Sequence, residues 1–147
     1  MVTTVFIVDD HPLLLRGLAD LIARDSGYRV IGTALDGRSA LTMIRQDLPD
    51  VAVIDLNMPG FSGLDLAFEL GKETPTTRCV MLTAGASQSQ LYEVIKAGVA
   101  GIVLKEAAIG TLLRCIHRVA AGGHWLPAEI VGEVLGLHST SALRKTR

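Results

Sequence analysis

Two adjacent carboxylates, Asp9 and Asp10, end the apolar run in VFIVDDHPLLLRG. A third, Asp55, closes the run in VAVIDLNMPG; Thr83 follows the run in CVMLTAG, and Lys105 follows the run in GIVLKE. Carboxylates brought close together repel, so three of them in one place call for a cation. An oxygen-only ligand set, without Cys or His, suits a hard ion. Mg2+ takes one or two carboxylates and fills its remaining positions with phosphate oxygens and water. An ammonium and a hydroxyl added to such a set make a seat for a phosphoryl group carried on a carboxylate. Metal and lysine neutralise the phosphoryl oxygens, the hydroxyl donates a hydrogen bond, and one aspartate is the nucleophile. A plainer alternative is that each aspartate caps the helix behind it, and that a strand-terminal Thr or Lys is simply solvated. Capping accounts for one acid per loop. It leaves an acid pair facing a third acid without a reason.

These side chains converge only if the elements behind them bring their ends together. Short apolar runs at 5–8, 28–31, 51–54, 79–82 and 101–104 are too short for helices, and their unbroken apolar character suits strands buried on both faces. Between them lie stretches with helical spacing. Leu14, Leu18, Leu21 and Ile22 are expected on one face, as are Ala40, Leu41, Ile44 and Leu48, and again Ile109, Leu112, Leu113 and Ile116. Pro12 suits a first helical turn, Asp36 a cap of the second helix, and Ser87 with Gln90 a capping box of the fourth. Gly98 and Gly122 stand where the fourth and fifth helices should stop. Five strands alternating with five helices predict an α/β fold, a flavodoxin-like doubly wound parallel sheet with helices on both faces. In such sheets ligands bind beyond the carboxyl ends of the strands at the switch point. With strand order 2-1-3-4-5, strands one and three are neighbours there, and Asp9, Asp10 and Asp55 meet.

The bulk properties narrow the function classes. The chain has 147 residues, 49% hydrophobic and 20% charged, with net charge −1. That is one domain's worth of globular chain, without the basic excess of a nucleic-acid or anionic-membrane binder. No apolar run reaches the about 18 residues of a membrane span, and no basic segment precedes the first apolar run as in a secretory signal. Cys79 and Cys115, the two cysteines, are expected as reduced core residues of a cytoplasmic protein. The four histidines are scattered, with no i, i+4 pair of the metal-binding kind. After Gly122-Gly123 the stretch HWLPAEIVGEVLGL suggests one more short helix, and STSALRKTR a polar, basic tail.

The segments VDDH, DLNMPGFSG, TAGAS and GIVLK, in that order and spacing, resemble the response-regulator receiver domain of two-component signalling over roughly residues 1–122. The resemblance implies that Asp55 is the phosphoacceptor. It implies that Asp9 and Asp10 hold Mg2+, Asp10 more directly, and that Asn57 adds its backbone carbonyl to the metal. Thr83 becomes the switch hydroxyl and Lys105 the lysine that contacts the phosphoryl group. DDHPLLLRGL, Lys105-Glu106 and AAGGHWLPAEI resemble the LuxR/NarL/FixJ-type regulators, whose receiver is followed by a helix-turn-helix output domain. Residues 123–147 then read as an extension or linker toward an output domain not contained in these residues.

By the same resemblance the chain is no enzyme but a switch that assists its own phosphorylation and dephosphorylation. Its partners are a histidine kinase and, on phosphorylation, a second copy of itself. It meets DNA only through the output domain, and it has no membrane role. The family's aromatic residue three positions before the lysine is here Ile102, too short and too stiff for a ring flip. Three alternatives remain at this level. A stand-alone receiver would act by protein–protein contact. An aspartyl-nucleophile phosphatase of the haloacid-dehalogenase type would need an acid two residues after Asp55, where Asn57 stands. A nucleotide or flavin binder would want a glycine-rich phosphate loop, and neither GxxxxGK[ST] nor GxGxxG after the first strand is present.

Overall fold

A computed structural model describes residues 2–126 and 128. The elements alternate without exception: β1 (Thr3–Val8), α1 (Pro12–Ala23), β2 (Tyr28–Ala34), α2 (Gly37–Asp47), β3 (Val51–Asp55), α3 (Gly63–Glu73), β4 (Arg78–Thr83), α4 (Gln88–Lys96), β5 (Gly101–Leu104) and α5 (Ala108–Ala120), with a 3-10 turn at Lys105–Ala107. All strand pairs are parallel, in the order β2-β1-β3-β4-β5. The expected doubly wound sheet is therefore observed, and β1 and β3 are neighbours.

Alternation along the strands splits the core in two. Phe6, Val8, Ile54, Met81 and Ile102 face α2, α3 and α4; Val5, Ile7, Val53, Leu82 and Val103 face α1 and α5. The three central strands are buried on both faces, as unbroken apolar runs require. The exception is β2, which is mostly half-buried at one edge of the sheet, whereas β5 at the other edge stays buried beside Trp125.

Local signals place the helix ends. Asp36 Oδ1 accepts the Ser39 N–H at 2.8 Å, and Ser87 with Gln90 forms the expected reciprocal capping box. A second box, Ser62 with Asp65, starts α3. Gly98 and Gly122 have φ of 87° and 96°, the left-handed conformation that ends a helix at little cost only for glycine.

Some side chains depart from the expected helix faces. On α1 the buried row is Leu15, Leu18 and Ile22: Leu15 takes a core place that was not expected of it, and the expected Leu14 and Leu21 are half-buried. Leu48 ends α2 in a left-handed conformation (φ 46°) and is 54% exposed, because that backbone turn swings it off the helix face. Ile109, in the first turn of α5, lies off the buried row of Ala108, Leu112, Cys115, Ile116 and Val119 and is 61% exposed. Both cysteines are free and buried; burial pushes each thiol up to about 12.

After α5 the chain turns back. Trp125 N–H donates to the Ala100 carbonyl at 2.9 Å, and Ile102 N–H donates to the Trp125 carbonyl at 2.8 Å, a parallel bridge on the outer edge of β5. The short helix expected further along HWLPAEIVGEVLGL, and the basic tail, lie outside the described residues. Among the described residues no helix is long and apolar enough to cross a membrane.

Candidate functional site

Three strands end in the same local device. Asp9 follows β1, and its Oδ1 accepts the His11 N–H at 2.8 Å. Asp55 ends β3, and its Oδ1 accepts the Asn57 N–H at 3.0 Å. Thr83 ends β4, and its Oγ1 accepts the Gly85 N–H at 3.1 Å. Each side chain thus bends over its own loop onto the N–H two residues on. This short-range bond competes with continued strand pairing and turns the chain. The result is polar atoms fixed at the carboxyl edge of a buried sheet.

Asp9 and Asp55 are fully buried, and Asp10 is partly exposed. The Asp9 Oδ2 and Asp55 Oδ2 atoms accept no hydrogen bond in good geometry. What stands beside them is charge. Lys105, which opens the turn after β5, places Nζ 2.9 Å from Asp55 Oδ2 and 3.5 Å from Asp9 Oδ2. The strand carrying Lys105 lies two positions from β3, so only a side chain with lysine's reach can span β4 to the acids. The loop after Asp55 is kept tight by Gly63. A Cβ there would clash with the Asp55 carbonyl oxygen, so any larger residue would push α3 away from the Asp55 backbone.

The structure accordingly gathers Asp9, Asp10, Asp55 and Lys105 into one cluster. Asn57 joins it through its backbone N–H. The Thr83 hydroxyl is buried at the end of the next strand, engaged with its own loop. One member was absent from the sequence reading. His11 Nδ1 lies 2.9 Å from Asp9 Oδ1, 3.1 Å from Asp10 Oδ1 and 3.8 Å from Asp55 Oδ2. Its adjacency to the acid pair in Asp9-Asp10-His11 was the available signal, and a search for i, i+4 histidine pairs does not test it.

The cluster fits a divalent cation. One oxygen from each of the three acids and His11 Nδ1 all lie within 4.8 Å of one another, and three buried carboxylate oxygens, Asp9 Oδ2, Asp10 Oδ1 and Asp55 Oδ2, accept no hydrogen bond in good geometry, with the single Lys105 ammonium beside two of them. Buried charge left that way is costly unless it is paired or coordinated. The site opens onto an apolar shelf formed by Pro12, Leu13, Leu14 and Ala84 beside His11 and Lys105, with Leu13 88% exposed.

A family model described as the response regulator receiver domain matches residues 5–117. A nitrate/nitrite response regulator protein homolog from Haemophilus influenzae is 37% identical over 118 residues, covering 80% of this chain and 57% of the relative. The nitrate/nitrite response regulator protein NarP from Escherichia coli is 38% identical over 131 residues, covering 89% and 60%. The chain therefore spans less than two thirds of the length of these curated relatives. The crystal structure of a LuxR-family two-component response regulator from Aurantimonas sp. superposes with a TM-score of 0.86 at 27% identity, covering 95% of this chain and 99% of that one.

Proposed function

This chain belongs to the response regulator receiver domain family, of the NarL/LuxR type, and from that premise we propose that it is a Mg2+-dependent phosphoacceptor switch. A partner histidine kinase phosphorylates Asp55. The carrying observation is the pairing of a buried nucleophile candidate with its neutralising groups: Asp55 Oδ2 lies 2.9 Å from Lys105 Nζ, in a carboxylate cluster that includes Asp9 and Asp10.

The chemistry follows from the side chains. A carboxylate oxygen of Asp55 attacks phosphorus, the donor's N–P bond breaks, and the leaving imidazole takes up a proton. The Asn57 N–H bond to Oδ1 stops the Asp55 carboxylate from rotating. The Lys105 ammonium exchanges its ion pair with Asp55 for one with the arriving phosphoryl oxygens. Asp9, Asp10, Asp55 and the Asn57 carbonyl would hold Mg2+, which when bound would supply the positive charge that lets an anionic donor approach an anionic acceptor. Thr83 contributes its hydroxyl when it leaves the Gly85 N–H and turns to the phosphoryl group. The exposed apolar shelf around Leu13 suits a protein donor. Residues 1–122 form the receiver and 123–147 the connection to a DNA-binding domain beyond this chain, so that the switch controls transcription in the cytoplasm.

The test is chemical. Acetyl phosphate with Mg2+ is expected to add one phosphoryl group to the chain by intact mass, and none to Asp55→Asn. Full labelling of Asp55→Asn removes Asp55 as the acceptor.

A further inference from the structure

His11 lies inside the acid cluster, not beside it. Its backbone N–H is tied to Asp9 Oδ1 at 2.8 Å, so the two-residue turn that orients Asp9 also sets where the imidazole begins. The Nδ1 atom is 2.9 Å from Asp9 Oδ1 and 3.1 Å from Asp10 Oδ1. Ligands in adjacent positions of an octahedron with metal–ligand bonds of about 2.1 Å are separated by about 3 Å. These two separations are thus edges that one small dication would span. The independent sign of a missing ligand is a set of three buried carboxylate oxygens, Asp9 Oδ2, Asp10 Oδ1 and Asp55 Oδ2, that accept no hydrogen bond in good geometry; two of them share the one Lys105 ammonium, and Asp10 Oδ1 is the oxygen that faces His11 Nδ1.

Resting on the reading that these acids hold a divalent cation, we propose that His11 Nδ1 is a specificity-determining ligand of that centre and biases it toward borderline first-row ions such as Mn2+ over Mg2+. Carboxylates and water serve both ions. An imidazole nitrogen adds much more to a transition ion than to hard Mg2+. Nδ1 lies 2.9 Å from Asp9 Oδ1. As a ligand the imidazole would offer its Nδ1 lone pair, and the side chain is 64% exposed, which leaves water to solvate the rest of the ring. Lys105 Nζ, 3.3 Å from Nδ1, remains paired with Asp55 at 2.9 Å.

The experiment uses the 147-residue chain with Mn2+ and Mg2+ alone. Free Mn2+ is measured by electron paramagnetic resonance, Mg2+ by competition, and nitrogen ligation by the 14N coupling of bound Mn2+. Wild type is expected to show 14N coupling that disappears in His11→Ala. The preference for Mn2+ over Mg2+ is expected to fall on the order of tenfold or more in that variant. His11→Asn, a good helix cap, repeats the comparison with α1 intact. If both ions bind in a manner that depends on Asp10, but wild type lacks 14N coupling and the variants keep the same preference, His11 is no ligand. If neither ion binds in a manner that depends on Asp10, the cation reading beneath the proposal fails instead.

Discussion

The Lys105 ammonium, 2.9 Å from Asp55 Oδ2 and 3.5 Å from Asp9 Oδ2, is held mostly out of water with a side-chain exposure of 14%. Removing one partner from such a buried set leaves the other charges uncompensated, at a cost of up to about 3–5 kcal/mol. Lys105→Ala is therefore expected to lower the urea midpoint in the absence of divalent ions, and Mg2+ is expected to recover part of the loss. A loss that Mg2+ leaves untouched would mean that the lysine acts through packing. The variant should still accept phosphoryl groups slowly from acetyl phosphate. It should not shift the NMR signals of α4 with beryllofluoride, because the contact that transmits occupancy is gone.

Among the elements, β5 carries Ile102, the position where the family resemblance led to the expectation of an aromatic ring. Ile102 is fully buried on the α3–α4 side of the sheet, and its N–H is bonded outward to Trp125. Ile102→Ala is expected to cost about 2–5 kcal/mol in chemical denaturation, with Asp55 still labelled. A normal midpoint combined with complete loss of labelling would contradict this. The Trp125 ring packs on the opposite side of the sheet, with the Arg118 and Arg114 guanidinium carbons 4.8 and 5.8 Å from its centroid. Burial and cation–π attraction together make Trp125→Ala worth about 1–3 kcal/mol of stability. Amide exchange should identify the origin. If the bridge is the linkage lost, the Ile102 N–H exchanges faster in Trp125→Ala while those of β1 and β3 do not.

At the scale of the whole molecule, the Asp9–Asp10–Asp55–Lys105 cluster lies at the carboxyl ends of the strands and the helices cover both faces. Net charge is −1. The receiver therefore lacks the positive field that DNA binding needs, and the tail residues Arg144, Lys145 and Arg147 offer only weak, salt-sensitive attraction to phosphates. Residues 1–147 alone are expected to show no sequence-selective gel shift at physiological salt. Occupancy of Asp55 should instead shift a pre-existing equilibrium in α4, β5 and α5, or between monomer and dimer. Sedimentation with and without beryllofluoride reads that change. Unchanged mass together with unchanged α4 signals at full occupancy would leave a phosphoacceptor without the proposed switch. Two-fold pairing of receivers is the arrangement that would bring two DNA-binding domains onto paired half-sites.

Much of this protein was legible from residue order because the governing forces are local. Apolar runs of four residues placed the strands, side-chain caps placed the starts of α2 and α4, and Gly98 and Gly122 placed the ends of α4 and α5. Because ligands in doubly wound sheets gather at the strand ends, the same reading pointed to Asp9, Asp10, Asp55 and Lys105, which the fold brings together. What sequence left open depends on rotation and reach. Helical spacing defines a stripe but not its angle to the sheet, so packing chose Leu15 for the core of α1 and left Ile109 outside. A short apolar run does not say which strand lies at an edge or what covers that edge: β2 is half-exposed, whereas β5 at the other edge stays buried beside the returning Trp125. Trp125 returns to β5 through hydrogen bonds to residues 23 and 25 positions earlier in the chain, Ile102 and Ala100, a pairing no local pattern encodes. His11 is the sharpest case. Its place among three carboxylates was decided by a two-residue turn and a side-chain rotation, which exist only once β1 and β3 lie side by side.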